Sequence, residues 1–363
     1  MSSSRRTAPH ASGVDAMLRE VGLTQGRRAS RGGPSKNGEQ SKSEKTSVAV
    51  VARNRVAKPG VVQVKEWKEF SWLKAGFSTR EGGSSLAYSA GEYGEQNLGW
   101  TESDAPETVA SNRERFVAAV AGKTPLELVT IRQTHTALIR KVHRVEAEHG
   151  PLATPAGKAI LRGDALMTGL PGLLLGVQTA DCVPVLVADT RRRVVAAFHA
   201  GWRGTLKRIV ERGIGDFRLH YGSRPRDLVA AIGPCIGACC FAVGEEVRFE
   251  FESQFAYSRK LFSEVYDSDP VREKYPMLFL TARAPGHSNI GPQIHLDLVE
   301  ANRRQLLDAG VAAKCITLVR ECTACARLTN GRRKYFSHRD EHGFTGRMLS
   351  VIGVEKGTAP SSG

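Results

Sequence analysis

From residue 61 onward, apolar residues fall in short runs separated by Gly-rich turns, and no repeat of fixed period is visible. Residues 173–177, 184–188 and 194–198 are the apolar runs that buried strands carry, with a bend at residues 179–182 between the first two. After Phe198 the run HAGWRG (residues 199–204) leads into Leu206, Ile209, Val210, Ile214 and Phe217, spaced along one face of a helix. This stretch reads as strand, Gly loop, helix. Residues 228–232 predict a further strand ending in GPCIG (residues 233–237), and a helix follows from Glu245. Asp104, Pro106 and Glu107 supply an N-cap, an early proline and an acidic first turn for a helix carrying Val109, Phe116, Val117 and Val120, stopped at Gly122. Asp297 and Glu300 form a capping-box-like start for a helix through Leu306 and Leu307, closed by Gly310, and residues 282–292 read as a loop. Strands interleaved with helices, without a polar linker, predict one α/β or α+β domain over residues 61–355.

Composition supports a folded, water-soluble chain: 363 residues with 41% hydrophobic content can bury a sizeable core, and no stretch reaches the roughly 18 uninterrupted apolar residues of a membrane span. Seven Cys, an odd number, and the lack of a secretory apolar run read as reduced, intracellular thiols. The net charge of +15 invites a nucleic-acid reading. About half of that excess sits in residues 1–60, a Ser-, Arg- and Gly-rich segment without aromatics that reads as a disordered tail and resembles an organelle transit peptide. Residues 356–363 read as a second tail. The body is only mildly basic and carries no RRM-like signature, which disfavours a nucleic-acid module.

No Walker A, GxGxxG, HExxH or GxSxG motif is present. What remains is a set of His, Cys and Asp residues at predicted strand ends: Gln133-Thr-His135, Thr179-Ala-Asp-Cys182 and the His199 run. Two imidazoles and a thiolate from separate segments suit the open form of a zinc site, with three protein ligands and a free fourth position. By residue type alone, a buried or hydrogen-bonded residue of no catalytic role is the commoner case for any single His or Cys, and His135, Cys182 and His199 stay open to that reading. Arg80 and Arg203, each beside glycines, are candidate anion binders. Cys322 and Cys325 form the one CxxC pair; with no second pair to complete a four-cysteine set, they read as packed thiols. Cys239 and Cys240, being adjacent, are expected to point in different directions and to be structural.

The ordered series FSTREGG (77–83), NLG (97–99), QTH (133–135), GDALMT (163–168), TADCVPVLVAD (179–189), FHAGWRG (198–204), IGPCIG (232–237), HLDLVEANRRQL (295–306), CTAC (322–325), FSHR (336–339) and TGR (345–347) resembles the laccase-domain family. These proteins were long labelled polyphenol oxidoreductases and are now regarded as purine nucleoside phosphorylases. The resemblance implies a single domain of layered mixed sheets flanked by helices, and a metal site of His135, Cys182 and His199, usually with zinc. It implies phosphorolysis of adenosine, inosine, guanosine and methylthioadenosine, and deamination of adenosine. Asn97, Gln133 and Asp181 then join Arg80 and Arg203 as the set expected to bind substrate or phosphate, with Asp181 or a site His as proton donor to the leaving purine. The chain departs from the family pattern at Asp340, where a second Arg is common, and in a longer loop at residues 284–293.

Two other enzyme classes compete with that expectation. A copper laccase needs about ten His, largely as HxH pairs; the chain has 10 His and no HxH, although copper binding at a site of two His and one Cys fits the affinity order. A Cys/His acyl hydrolase with Cys182 as nucleophile has the same residue types.

Overall fold

The computed structural model describes residues 57–89, 92–143, 152–154, 157–265 and 293–357. Val183–Asp189 is buried at every position, and its alternate residues face two different cores. Val183, Val185 and Val187 join one, Leu186 and Ala188 the other. Such a strand needs cover on both faces, which explains its unbroken apolar run.

It sits in a six-stranded sheet, in the spatial order Ile316–Leu318, Leu228–Ile232, Val183–Asp189, Val195–Ala200, Ala165–Thr168 and Ile139–Lys141. A five-stranded sheet runs Val61–Val62, Leu73–Ser78, Met348–Val354, Leu173–Thr179, Glu127–Thr130. Both sheets mix parallel and antiparallel pairs. The core between them is built from Phe77, Val129, Leu175, Val177 and Ile352 on one side and Leu166, Leu186, Val195, Ala197 and Ala231 on the other. Phe198, Ile232 and Val185 face outward and are covered by the helices Ile209–Tyr221 and Leu298–Asp308. On the outer face of the five-stranded sheet, Leu174, Leu349 and Val351 pack against Phe116 of the helix Pro106–Ala121. The layers are therefore helix, sheet, sheet, helices. A small antiparallel sheet, Ala242–Val243, Gln293–Leu296, Phe262–Val265, completes the fold.

The strands expected at 173–177, 184–188, 194–198 and 228–232 form within a residue or two of those bounds. Asp297 caps its helix as expected, accepting from the Glu300 N–H at 2.8 Å. Two local expectations are corrected. The helix at Pro106–Ala121 starts from Ala105 with no side-chain cap, because Asp104 instead accepts from the Asn97 amide. The segment after HAGWRG is two helices, Trp202–Leu206 and Ile209–Tyr221, because Arg208 between them turns left-handed (φ 58°) and pairs with Glu211. The tail at residues 1–56, the loop at 282–292 and residues 358–363 lie outside the described residues. No helix among those described is long and apolar enough to cross a membrane.

Candidate metal centre

His135 follows the strand Glu127–Thr130 of the five-stranded sheet, and His199 lies in Val195–Ala200 of the six-stranded one. Cys182 occupies the bend where the chain leaves Leu173–Thr179 of the first sheet and enters Val183–Asp189 of the second. The three donors meet where the chain crosses between layers. One ligand atom from each lies within 4.8 Å of the others, and the two imidazole rings stand 5.0 Å apart, nearly perpendicular at 82°. His199 is buried, Cys182 half-buried and His135 exposed, so the cluster is open on one side.

The backbone is bent to achieve this. His135 (φ 56°) and Asp181 (φ 92°) both have positive φ, at a cost of order 1–3 kcal/mol each for residues with a Cβ. Gly201 makes room: a Cβ there would lie 2.9 Å from the Cys182 Sγ.

Beneath the cluster lies Asp164, fully buried. Its carboxylate accepts from His199 Nδ1 at 2.9 Å, from the backbone N–H of His135 at 2.9 Å and from that of Thr136 at 2.6 Å. Burial alone would raise the Asp164 carboxyl, but the hydrogen bonds from His199 and Thr136 outweigh it and hold the group well below the usual carboxylate range. With Nδ1–H committed to Asp164, Nε2 is the nitrogen of His199 that faces the cluster, and it ligates once a bound cation displaces its proton. Burial likewise opposes charge on both Cys182 and His199. Their mutual attraction, reinforced by His135 on the thiol and Asp164 on the imidazole, overrides it, bringing the thiol down to about 6 and the imidazole up to about 9. A thiolate is thus available at neutral pH. Two nitrogens, one thiolate and an open side fit zinc, and the same donors accept copper.

The cluster lines a cavity of about 890 Å³. Five cationic side chains line it, Arg132, Lys158, Arg203, Arg339 and Arg347, against a single carboxylate, Asp181. Asp181 accepts from the Thr323 hydroxyl at 2.6 Å and from the Arg339 backbone N–H at 2.7 Å. Trp100 and His338 also line the cavity.

A family model described as multi-copper polyphenol oxidoreductase laccase matches residues 74–355, a span that contains the whole cluster. The chain belongs to this family. Within this laccase-domain family, a purine nucleoside phosphorylase, YlmD from Geobacillus stearothermophilus, is 34% identical over 285 residues, covering 78% of this chain and 91% of the relative. An adenosine deaminase, RL5 from an unknown prokaryotic organism, is 32% identical over 227 residues, or 62% of this chain and 74% of its own. The crystal structure of the Bacillus licheniformis hypothetical protein YfiH matches with a TM-score of 0.66 at 30% identity, covering 83% of this chain and 98% of that one. Family and layered α/β fold agree with what the motifs imply.

Of the residues expected to bind substrate or phosphate, the fold brings Gln133, Asp181 and Arg203 to the cavity of this laccase-domain protein and leaves two elsewhere. Gln133 spends its amide on the Gln178 backbone, donating at 2.7 Å and accepting at 2.8 Å. Arg80 is the main correction. It is buried, bonded to Glu95 at 2.5 Å and to Glu341 at 2.7 Å, so its charge is neutralised within the protein and none of its surface lines the cavity. Asn97 is also internal: its Oδ1 accepts from the Arg347 and Gly99 N–H groups. Both residues position the 337–347 loop, since Glu341 in turn accepts from the Ser337 N–H and the Thr345 hydroxyl. Missed at the sequence level were Asp164, Arg132, Lys158, His338 and Arg347. The motifs GDALMT, FSHR and TGR contain three of these, and are the signal that points to them.

The cysteines also depart from expectation. Cys239, Cys240, Cys322 and Cys325 bring all four sulfurs within 4.8 Å of one another. Cys239 and Cys240 sit in a turn, where neighbouring side chains need not alternate as they do along a strand.

Proposed function

We propose that the chain is a zinc-dependent purine nucleoside phosphorylase that also deaminates adenosine, with His135, Cys182 and His199 as ligands. The observation that carries this reading is the open three-donor cluster on the wall of a cavity lined by five cations and one carboxylate. The names of the relatives support the phosphorylase and deaminase activities. Zinc held there supplies Lewis acidity and a lowered pKa for water.

In phosphorolysis a phosphate oxygen bonds to the ribose C1′ as the bond to the purine nitrogen breaks, giving free base and ribose 1-phosphate. The phosphate needs positive charge near the ribose. Arg203 is the first candidate, since its guanidinium makes no hydrogen bond or ion pair among the described residues and only stacks on Trp202, 4.3 Å from the ring centroid. Arg132, Lys158 and Arg347 add to the field. The departing purine takes a proton. Because both Asp181 oxygens already accept hydrogen bonds, His338 is the better-placed donor, and Asp181 is left to orient the base. The 890 Å³ cavity suits a nucleoside with phosphate. Inosine, guanosine, adenosine and methylthioadenosine are the proposed substrates; nucleic acid and membrane are not partners in this reading.

The deciding experiment supplies inosine or adenosine with and without phosphate and separates the products. Hypoxanthine should form from inosine only with phosphate, alongside ribose 1-phosphate, while ammonia should leave adenosine in either case. Base release independent of phosphate would replace phosphorylase by hydrolase.

A second reading, a Cys182-dependent acyl hydrolase, draws on the lowered thiol beside His199. Stoichiometric zinc at the cluster excludes it. Copper oxidase chemistry has less support, because a cluster of two His and one Cys and another of four Cys are the only metal-ligating groups among the described residues that gather three or more such side chains.

A further inference from the structure

The four-cysteine cluster is separate from the donors above and has no part in the proposed reaction. The Cys239 and Cys325 sulfurs lie 3.7 Å apart. That is far beyond the roughly 2.05 Å of a disulfide, yet it matches the edge of a tetrahedron whose centre lies about 2.3 Å from each corner, which is about 3.8 Å. The two turns that carry the thiols are fastened together: the backbones of Cys235 and Cys322 form an isolated parallel β-bridge, and the Thr323 N–H donates to the Cys235 carbonyl at 2.9 Å. The Gly237 N–H donates to the Cys322 sulfur at 3.2 Å. A Cβ at Gly237 would lie 3.2 Å from the Cys239 sulfur and 3.3 Å from the Cys322 Cβ, so glycine there eases the close approach of the turns. Cys239 and Cys325 are exposed and the other two half-buried. Hydrophobic packing is a poor account of thiols that remain in water, whereas access for an ion is what such a cluster provides.

We propose that Cys239, Cys240, Cys322 and Cys325 form a second metal site, a closed tetrahedral centre of four thiolates that takes zinc in a structural role. Soft thiolate donors select zinc over magnesium or calcium, and four protein ligands leave no open position for substrate. Binding releases the thiol protons to solvent and involves no redox change. The site has a mechanical consequence. Thr323, inside the CxxC turn, donates to the Asp181 carboxylate, and the Ile236 N–H donates to the Asp181 carbonyl at 2.9 Å. Phe241, next to Cys240, lines the cavity and stacks on the Arg339 guanidinium. The centre staples the wall that holds Asp181 beside Cys182.

Zinc, copper and iron are measured by elemental analysis on the full chain purified under reducing conditions, for wild type, Cys182→Ala and the double variant Cys239→Ser/Cys325→Ser. The expected content is about two zinc per chain in wild type and about one in each variant. A Cys182→Ala protein that is folded by circular dichroism yet carries no zinc overturns the proposal, as does iron with acid-labile sulfide. If the double variant fails to fold, wild-type chain is stripped and reloaded with cobalt alone. Sulfur-to-cobalt charge-transfer absorption of four-thiolate intensity is expected, in addition to the weaker band of a site with one thiolate. The weaker band alone overturns it. Because the Cys182 site is read separately in every arm, failure of either site is recognised without the other.

Discussion

The Oδ1 of Asp164 lies 2.9 Å from the Nδ1 of His199, and the same carboxylate gathers the backbone N–H groups of residues 134–136. One buried charge therefore orients His199 through its ring and His135 through its backbone. Asp164→Asn should keep the fold but weaken metal binding about 10–100-fold, the usual effect of removing such a supporting carboxylate. Competition against a chelator at fixed pH measures it. An unchanged affinity would separate Asp164 from the metal ligands.

Cys182→Ala should remove one zinc equivalent and abolish both phosphorolysis and deamination, with the far-ultraviolet circular dichroism unchanged. Retention of that zinc would take Cys182 out of the ligand set.

Arg203→Ala should lower phosphorolysis about 10–100-fold, the loss expected when one charged hydrogen bond worth roughly 1.5–3 kcal/mol is removed, and should affect deamination less. Steady-state rates on inosine and adenosine compare the two. Equal losses would rule out a phosphate-specific role.

Arg80→Ala should act through the fold. It strands Glu95, which is wholly buried, and Glu341 without their partner, and breaking such a buried pair costs about 3–5 kcal/mol. Denaturant unfolding reads the loss. Arg80→Lys should recover only part, since a single ammonium nitrogen cannot reproduce the two-nitrogen contact of the guanidinium with Glu95 while also reaching Glu341. A variant of wild-type stability would refute the buried network.

Gly201→Ala should impair metal binding, because the added Cβ would sit 2.9 Å from the Cys182 sulfur. Isothermal titration of the stripped protein with zinc should give at least a tenfold weaker Kd, the scale of one displaced contact of about 1.4 kcal/mol. An unchanged Kd would mean that the bend at Cys182 yields freely.

The parts of this structure that were legible in advance are those where one local pattern decides. Val183–Asp189 is buried on both faces and must be apolar throughout, so it reads as a strand from its own residues. The grouping of His135, Cys182 and His199 was legible because their residue types are rare in combination and lie in recognisable motifs. Arg80 was misread because its partners, Glu95 and Glu341, lie 15 and 261 residues away, and a guanidinium beside glycines looks the same whether it awaits a phosphate or is already paired. The strand Met348–Val354 is central to the five-stranded sheet but was seen only as the end of the domain. The four cysteines read as two unrelated pairs because only one of the pairs is a CxxC; the backbone β-bridge between Cys235 and Cys322, which joins segments far apart in the chain, is what gathers them.

His199 lies in the six-stranded sheet, while His135 and Cys182 lie in two connections that each run from a strand of the five-stranded sheet to one of the six-stranded sheet, so an ion bound there is a cross-link between layers. A ligand that binds only the folded chain stabilises it by about 4 kcal/mol when present at a thousand times its Kd. Such an increment changes the fraction of open molecules roughly a thousandfold. On the proposed zinc reading, a shortage of that ion would expose the protein to proteolysis as well as to inactivity, and its abundance would report the metal supply.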